Sequence, residues 1–587
     1  MNTVKVKING MEIECASNAT VLEAAKIAGI EIPTLCYLKE INAIGACRIC
    51  MVEVKGARTL VTACVYPVTD GMEVFTNTPK VREARRMTLE LILSNHRKDC
   101  LTCVRNLNCE LQKLAIDFGV DGLRFADDNL QAAVESSSVC LTRDNSKCVL
   151  CRRCTAVCKQ NQDVAVIGPN NRGFATHIGS PFERDLGEMA CVGCGQCIVS
   201  CPTGALTERD DTATVYEALA DETKHVVAIV APAVRIALGE CFGMPIGTNV
   251  EGKMVAALRR LGFNEVFDVL VGADITVMEE GAELIGRLQS GENLPIITSC
   301  SPGWVSYCEQ YYPEFLPNLS TCKSPQQMTG ALLKVYYAKK IGVDPKNLVV
   351  VSVMPCTAKK EEIRRDHQQA VPGVNDVDVV ITTRELGRMI SNAGLLFQSL
   401  PDEDFDPAFG ISTGAGYIFG TSGGVMEAAL RTVVEKVTGK PLEKVEFHEL
   451  RGTQGIKEAE YVLDGTTVKV AVVSGLKNTA ALLERVKAGE QFHAIEVMGC
   501  PGGCVTGGGQ PIQSGFTTNF NDLRAMRGSA LHKGAVETRP VQKSHESPLV
   551  LEIYKDVIGE PGGENAHHWL HTEYKQRPKY PGFVSEK

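Results

Sequence analysis

The sequence predicts a multidomain protein in which small α+β domains at the N-terminus precede a larger α/β domain. Its length of 587 residues is enough for several domains, each with its own core. Cysteines cluster at metal-ligand spacings through the first part of the chain, up to about residue 201. From about residue 211 to 520, short apolar runs alternate with amphipathic helices, a pattern typical of parallel sheets flanked by helices.

Composition excludes several classes of protein. A net charge of −9 argues against nucleic acid as a partner. No apolar run reaches the roughly 18 residues of a membrane span. The start of the chain, MNTVKVKING, has no signal-peptide core, so a cytoplasmic location is expected. In a reducing compartment, 24 cysteines at these spacings indicate cofactor ligands rather than disulfides.

Residues 1–78 are predicted to form a ferredoxin-like domain. VKVKING and MEIECA indicate two strands joined at an Asn-Gly turn, and TVLEAAKIAG indicates a helix that ends at Gly29. Four cysteines follow in the pattern C-x10-C-x2-C-x13-C, which favours an iron–sulfur cluster over zinc because zinc ribbons usually show two CxxC knuckles. The predicted ligands are Cys36, Cys47, Cys50 and Cys64.

Residues 79–118 carry an unusual ligand set. A helix, VREARRMTLELILSNH, is followed by the spacing H-x3-C-x2-C-x5-C, which predicts a [4Fe–4S] cluster on one histidine and three cysteines. A neutral imidazole in place of a thiolate should raise the cluster potential and make cluster binding sensitive to pH. The predicted ligands are His96, Cys100, Cys103 and Cys109.

Residues 140–210 contain the run C-x2-C-x2-C-x3-C twice, after an acidic stretch at about 119–139 that is interpreted as a linker. This run is typical of bacterial two-cluster ferredoxins, in which the fourth cysteine of each run ligates the other cluster. The first predicted [4Fe–4S] cluster is therefore held by Cys148, Cys151, Cys154 and Cys201. The second is held by Cys191, Cys194, Cys197 and Cys158.

Three short stretches in residues 211–520 form the predicted chemical centre: TSCSPGW, VMPCTAKK and EVMGCPGGCVTGGGQP. Each follows an apolar run that reads as a buried strand entering a loop. Sites in α/β sheets form outside the carboxyl ends of strands, so these loops are expected to meet. They supply four thiols, which suit an iron–sulfur cluster or zinc: Cys300, Cys356, Cys500 and Cys504. The Gly-rich stretch 414–424 is interpreted as tight packing, not as a nucleotide loop.

The three stretches together resemble the signatures of [FeFe]-hydrogenases, and the resemblance covers nearly the whole chain. The [2Fe–2S] spacing is similar to that in complex I and in modular hydrogenases, and residues 521–587 resemble the hydrogenase small-subunit domain as a wrapping tail. The overall layout is similar to the catalytic subunit of NAD(P)-linked, electron-bifurcating hydrogenases. The resemblance implies an H-cluster, a [4Fe–4S] cubane joined to a diiron unit with CO, cyanide and dithiolate ligands.

The resemblance also implies residue roles. Cys504 would bridge the cubane and the diiron unit, Cys356 and Cys500 would ligate the cubane, and Lys359 would contact a cyanide. Four residues would line the diiron site: Pro232, Ala233, Met354 and Met498. The family's proton route corresponds to Cys300, Glu280, Ser320 and Glu283. Glu280 and Glu283 lie three residues apart, so they share a helix face; the alternative is that they are surface carboxylates at a helix start.

The first signature departs from the family pattern, which has two adjacent cysteines where this chain has Cys300-Ser301. Ungapped matching puts Ser301 at the cubane position and Cys300 at the relay position. Alternatively, Cys300 takes the ligand role and leaves Ser301 near the relay. The preference of iron–sulfur clusters for thiolates favours Cys300 as the ligand.

The expected function is reversible H2 oxidation and proton reduction, with electrons passing through accessory clusters to ferredoxin or to an NAD(P)-binding partner. The expected partners are flavin/NAD(P)-binding and small [2Fe–2S] subunits, ferredoxin and H-cluster maturation proteins. One alternative is a non-catalytic, hydrogenase-like electron-transfer or H2-sensing protein. Another is an iron–sulfur subunit of a complex I-like or formate dehydrogenase, which the second and third signatures do not fit.

Overall fold

The computed structural model describes residues 2–120, 124–125, 133–410, 412–442, 448–449, 455–463 and 465–580. The predicted linker at 119–139 lies partly outside these residues. The helices and strands follow the order that the sequence predicts, with small mixed units first and the large α/β unit after them. No helix in the described ranges is both long enough and apolar enough to cross a membrane.

The N-terminal domain is a five-stranded mixed sheet in the order β2-β1-β5-β3-β4. Asn9 and Gly10 have positive φ, and Ile8 pairs with Met11 across them, as the Asn-Gly signal predicts. The helix of this domain is followed by Gly29, also at positive φ. Its elements are β1 Thr3–Ile8, β2 Met11–Ala16, α1 Val21–Ile27, β3 Met51–Val54, β4 Val61–Thr62 and β5 Glu73–Phe75.

Two small units connect this domain to the large one. The first is helical, and the second has two short antiparallel pairs, β6-β9 and β7-β8, beside two helices. The long first helix ends two residues before His96. The elements are α2 Pro79–Ser94, α3 Glu110–Asp117, β6 Leu141–Arg143, α4 Arg153–Gln160, β7 Gly168–Asn170, β8 His177–Gly179, α5 Gln196–Val199 and β9 Leu206–Glu208.

The first half of the large domain is built on a fully parallel four-stranded sheet in the order β11-β10-β13-β14. Its strands are buried, and helices pack against them in the main apolar core. The elements are α6 Thr212–Ala220, β10 His225–Val230, α7 Pro232–Arg235, α8 Glu251–Arg260, β11 Glu265–Asp268, α9 Leu270–Ser290, β12 Ile296–Ile297, α10 Pro302–Tyr311, α11 Pro325–Leu332, α12 Ala338–Ile341, β13 Leu348–Met354, α13 Lys359–Glu362, β14 Val379–Thr382 and α14 Thr383–Asn392.

The second half is built on a five-stranded sheet in the order β12-β18-β17-β16-β15. β12, β18 and β17 are parallel, but β16 and β15 are antiparallel. The expectation of parallel sheets is therefore wrong for this edge, because a two-residue connection between β16 and β17 allows only an antiparallel hairpin. The elements are α15 Gly414–Tyr417, α16 Gly424–Thr438, β15 His448–Glu449, β16 Ile456–Leu463, β17 Thr466–Ser474, α17 Leu476–Lys487, β18 Ala494–Met498 and α18 Gly515–Phe520.

Helix α9 is longer than the sequence predicts. The amphipathic pattern covers only GAELIGRLQ, residues 281–289. The helix starts at Leu270, and most of its first three turns are buried on every side. A helix that is buried all round has no polar face, so its sequence lacks the 3.6-residue pattern that marks an amphipathic helix.

The C-terminal segment lies along the large domain as a chain of helices, α19 Leu523–Thr538, α20 Pro548–Ile553 and α21 Glu564–Leu570. Its buried side chains Val550, Ile553 and Leu570 belong to the main core. Two backbone hydrogen bonds join this segment to the loop after residue 319. Thr572 N–H donates to Thr321 O at 2.7 Å, and Lys323 N–H donates to Leu570 O at 2.8 Å. The tail therefore packs as part of the domain.

Candidate active site

The three signature loops meet between the carboxyl ends of the two large sheets. The first follows β12 and the third follows β18 in one sheet, whereas the second follows β13 in the other. Three hydrogen bonds join them: Lys359 Nζ to Cys300 O at 3.1 Å, Gly499 N–H to Ser301 Oγ at 3.2 Å, and Gly509 N–H to Pro355 O at 2.8 Å. The three signature loops therefore meet, as their positions at strand ends predict.

The thiols at this junction are surrounded by protein. Burial, together with the nearby Cys356 thiol, raises the pKa of Cys504 to about 12. The Cys500 pKa is raised by burial and by Cys356 and Cys504. The positive charge of Lys359 acts in the opposite direction and lowers the pKa of Cys356 and of Cys504. Buried thiols that disfavour one another as thiolates fit a group that supplies positive charge, which iron does.

Apolar residues enclose the same point. Ala233, in α7 after β10, packs in one apolar cluster with Cys504, and Met498 packs in another with Cys300 and Cys504. Pro232 and Met354 are also buried, at the ends of β10 and β13. A dry, apolar wall of this kind suits a cofactor that must react away from water.

The Gly-rich stretch 414–424 packs against this wall. A Cβ placed on Gly420 would lie 3.4 Å from Ala233 Cβ. A Cβ placed on Gly503 would lie 2.8–3.0 Å from the backbone at Gly420, Thr421 and Ser422. The role is close packing beside the third signature, as the sequence indicates.

Cys300 and Ser301 have different surroundings. The Cys300 thiol is influenced by Glu280, Lys359, Cys504 and Glu496, and burial together with the Glu280 charge raises its pKa well above the ordinary value. The Ser301 hydroxyl accepts the N–H of Gly499, which directly precedes Cys500 in the chain. Cys300 therefore lies on the side of the carboxylates, and Ser301 lies beside the third signature.

Helix α9 supplies both carboxylates of the expected proton route. Ser320 Oγ donates to Glu283 Oε2 at 2.8 Å, and Arg287 Nη2 donates to Glu283 Oε1 at 2.6 Å. Burial and, after it, the Glu283 charge raise the pKa of Glu280 to about 8, although hydrogen bonds from Ser320 and the Ser299 backbone act in the opposite direction. The alternative of surface carboxylates at a helix start is wrong for Glu280, which is 6% exposed in the middle of α9.

Sequence reasoning missed the partner of Lys359. Its Nζ contacts both carboxylate oxygens of Glu362, at 2.9 and 3.0 Å. Glu362 in turn accepts from Ser324 Oγ at 2.9 Å and Gln326 Nε2 at 2.6 Å. The signal was present in the sequence as a Lys-Glu pair three residues apart, a spacing that brings two side chains together on a helix.

The eight cysteines of residues 140–210 line two separate small cavities. One cavity is lined by Cys158, Cys191, Cys194 and Cys197. The other is lined by Cys148, Cys151, Cys154 and Cys201. Each cavity thus takes three cysteines from one run and one from the other, in the exchange that two-cluster ferredoxins use.

Several of the ligands expected in the first two units also lie close together. Cys50 and Cys64 lie with their Sγ atoms 3.4 Å apart, and Cys36 and Cys47 are hydrogen-bonded to each other beside them. His96 Nδ1 is buried without a hydrogen-bond partner among the described residues, and burial lowers the pKa of His96 to about 4. A buried, neutral imidazole with an orphaned nitrogen fits a metal ligand. Cys103 and Cys109 lie near each other, within electrostatic range.

Contacts between these sites define an order. Asn42 Nδ2 donates to Cys36 O at 2.7 Å and to Cys151 O at 3.0 Å, so the N-terminal site adjoins the first ferredoxin cavity. Arg105, from the His96 unit, donates to Cys201 O at 3.1 Å beside the same cavity. The second cavity adjoins the active site, where Gln196 Nε2 donates to Thr506 O at 2.9 Å. The [2Fe–2S] site and the His96 site thus both adjoin the first ferredoxin site, and the second ferredoxin site adjoins the signature loops.

The family models match the chain in the same arrangement. "Iron only hydrogenase large subunit, C-terminal domain" covers residues 224–508, "2Fe-2S iron-sulfur cluster binding domain" covers 1–79, and "4Fe-4S dicluster domain" covers 147–205. "NADH-ubiquinone oxidoreductase-G iron-sulfur binding region" covers 85–124, and "iron hydrogenase small subunit" covers 521–577.

Whole-chain relatives decide the family. NADP-reducing hydrogenase subunit HndD of Solidesulfovibrio fructosivorans is 46% identical over 99% of this chain and 100% of its own length. The chain belongs to the iron-only, or [FeFe], hydrogenases. Iron hydrogenase 1 of Clostridium pasteurianum is 42% identical over 97% of this chain and 99% of its own. The solved [FeFe]-hydrogenase HydA1 from Chlamydomonas reinhardtii is 40% identical, with a TM-score of 0.58 over 63% of this chain and all of its own.

As a member of this family, the protein is an oxidoreductase that acts on H2. It carries a [2Fe–2S] cluster, three accessory [4Fe–4S] clusters and an H-cluster, whose chemistry is the heterolytic cleavage of H2 and its reverse. The alternative of a non-catalytic relative is not supported. The cytosolic Fe-S cluster assembly factor narfl of Xenopus tropicalis is 30% identical over 65% of this chain, whereas the two hydrogenases that match the whole chain are 46% and 42% identical.

Proposed function

We propose that this chain is the H2-converting subunit of a complex in which a separate subunit exchanges electrons with NAD(P). The observation that carries the proposal is the unbroken series of ligand sites from the N-terminal domain to the signature loops. Two features support the separate subunit: the chain has no dinucleotide fingerprint, and its relative HndD is named as a subunit of an NADP-reducing hydrogenase. The partners would be flavin/NAD(P)-binding and small [2Fe–2S] subunits, with ferredoxin as a second acceptor and maturation proteins for assembly.

The [2Fe–2S] domain is the proposed port toward the NAD(P)-binding subunit. Its cluster site touches the first ferredoxin cavity through Asn42, so it lies on an electron route and not beside it. Removal of residues 1–78 should abolish NAD(P)-linked turnover of the complex, while H2 oxidation with an artificial dye persists. Cys47→Ser is the gentler variant, because it removes one cluster ligand and keeps the domain. Loss of both activities in Cys47→Ser would contradict a modular port.

We propose the proton route Cys300, Glu280, Ser320 and Glu283. Its inner end is supported by the position of the Cys300 thiol beside Glu280, and its outer end by the Ser320–Glu283 hydrogen bond of 2.8 Å. Glu280 Oε1 is buried without a hydrogen-bond partner among the described residues, which leaves that oxygen free to take a proton. The raised pKa of Glu280, about 8, suits a group that must both accept and release a proton near neutral pH.

The position of Cys300 favours the relay role, with Ser301 at the fourth corner of the cubane. This is the ungapped assignment, and it is opposite to the one that thiolate preference favours. Cys300→Ala and Ser301→Ala separate the two, because only the ligand variant should change the electron paramagnetic resonance and Mössbauer spectra of the cubane. An intact, redox-active cubane in Cys300→Ala with loss of H2 oxidation supports the relay role. A lost or altered cubane in that variant makes Cys300 the ligand.

We propose a cytoplasmic location. None of the 24 cysteines is in a disulfide, including the five outside the expected ligand set, Cys15, Cys140, Cys241, Cys308 and Cys322. Cysteines in such number without a disulfide suit a reducing compartment. Cell fractionation with an antibody against the chain tests this, and recovery in an oxidising compartment would overturn it.

A further inference from the structure

The C-terminal segment borders the outer end of the proton route. Residues 570–572 pair with residues 321–323 through two backbone hydrogen bonds, of 2.8 and 2.7 Å. Tyr574 OH also donates to Ser320 O at 3.0 Å. The loop that carries Ser320 is therefore held in place by the tail.

Glu283 has few hydrogen-bond partners that can carry a proton away. Arg287 is its closest partner at 2.6 Å, but a guanidinium does not give up its proton in proteins. Ser320 lies on the inward side, toward Glu280. Away from Ser320, Thr321 contacts the carboxylate through its backbone N–H at 3.2 Å and its hydroxyl at 3.4 Å. A hydroxyl can both accept and donate, so it can pass a proton on.

The Thr321 hydroxyl leads to a histidine of the tail. Thr321 Oγ1 lies 2.7 Å from His571 Nδ1, and His571 Nε2 lies 3.3 Å from Glu279 Oε2. Glu279 is 1% exposed and is held by Tyr554 OH at 2.5 Å and Gly562 N–H at 2.8 Å. A fixed carboxylate at Nε2 stabilises an imidazolium and, when the ring is neutral, selects the tautomer with a free Nδ1.

The ring of His571 faces other titratable groups as well. His567 of α21 lies against it with ring centroids 4.3 Å apart and ring planes tilted by 38°, and His567 is exposed to solvent. The backbone of Cys322 pairs with that of His571. Tyr554 and Lys436 of α16 both act on Glu279, Tyr554 through a hydrogen bond and Lys436 through its charge. Carboxylates approach the ring from two sides, Glu279 directly and Glu283 through Thr321.

We propose that His571 is the next proton carrier after Glu283, reached through the Thr321 hydroxyl. During H2 oxidation, the O–H bond of protonated Glu283 breaks and its proton moves to Thr321 Oγ1. The Thr321 proton moves at the same time to His571 Nδ1. This leaves a Glu283 carboxylate, an unchanged threonine and an imidazolium beside Glu279, and the proton then passes to water near the exposed His567. The inference rests on the proton route proposed above and extends it into the tail.

The test uses Thr321→Val and His571→Gln in the full-length, cluster-loaded enzyme. Valine keeps the shape of threonine without the hydroxyl. His568→Gln is the matched control, because His568 is exposed on α21, three residues before His571, and has no part in the hydrogen-bonded chain. Each test variant should lower kcat for dye-linked H2 oxidation by about tenfold or more, with KM unchanged, because general acid–base steps are worth at least that much. The double variant should lose no more than either single one, because both act on one route.

Two readouts separate proton transfer from a merely structural role. The kcat–pH profile of His571→Gln should differ from that of wild type, because the glutamine amide cannot take up the proton that passes through the ring. In nitrogen-15 spectra of histidine-labelled enzyme, the His571 Nδ1 resonance should shift in Thr321→Val and stay in place in His568→Gln.

Three outcomes decide the matter. Unchanged kcat and pH profile in both test variants, with activity lost in Glu283→Gln, would overturn the extension, because Glu283 is itself 14% exposed and would then release protons directly to water. Full activity in Glu283→Gln would instead overturn the route on which the inference rests. Additive losses in the double variant would also contradict a single chain from Thr321 to His571.

Discussion

Replacement of Glu280 by glutamine should stabilise the protein while it abolishes H2 conversion. Burial raises the pKa of Glu280 from its ordinary 4.5 to about 8. A carboxyl group with a higher pKa in the folded state destabilises the fold wherever the unfolded group is ionised, so the cost is absent below about pH 4.5, grows above it and is complete above about pH 8. At about 1.4 kcal/mol per pKa unit, the cost is about 3 kcal/mol at pH 6.5 and about 5 kcal/mol at pH 9. Glutamine has no charge to bury, so it should recover these amounts.

The assay is denaturant unfolding of wild type and Glu280→Gln at the two pH values, followed by tryptophan fluorescence. The chain has two tryptophans, and Trp304 is the last residue of the first signature and lies in α10, so the signal reports on the catalytic domain. Glu484→Gln is the control, because that carboxylate is 60% exposed and should change stability little at either pH. A Glu280→Gln variant that is less stable than wild type, or whose gain does not grow from pH 6.5 to pH 9, would refute the reasoning.

Three further changes test packing, charge and potential. Gly272→Ala should destabilise the protein by about 1–3 kcal/mol in the same unfolding assay, because the new Cβ would lie 2.2 Å from Thr329 Oγ1, whereas Gly286→Ala should be tolerated because no atom lies within 4 Å. Asp268→Ala should cost about 3–5 kcal/mol, since it leaves the fully buried Arg235 without its 2.7 Å partner; a loss below about 1 kcal/mol would contradict this. His96→Cys should lower the potential of one [4Fe–4S] cluster in an electron paramagnetic resonance titration, because it adds a negative thiolate, and an unchanged potential would argue against His96 as a ligand.

Much of the architecture is readable in the sequence because its signals are local. Cysteine spacing identifies ligand sets, since a loop that wraps a cluster must return ligands at short intervals. Apolar runs that stop at Pro, Gly or Ser place Cys300, Cys356 and Cys500 at strand ends, and Asn9-Gly10 specifies a hairpin through the backbone angles that these two residues tolerate. The antiparallel β16–β17 pair was also signalled, by Asp464-Gly465 between apolar runs, and was missed.

The tertiary structure decided what depends on contacts between distant residues. Periodicity reports only how one element divides its surface between core and water, so it cannot say that β12 and β18 share one sheet while β13 belongs to another, or that α9 is buried on all sides from Leu270. The same holds for the tail, where nothing near His571 in the sequence points to Thr321, 250 residues away. The sequence by itself determined the family, the clusters and the spacing of their predicted ligands. Only the fold decided which buried carboxylates and which tail residues stand beside them, because burial and hydrogen bonding are properties of the assembled core.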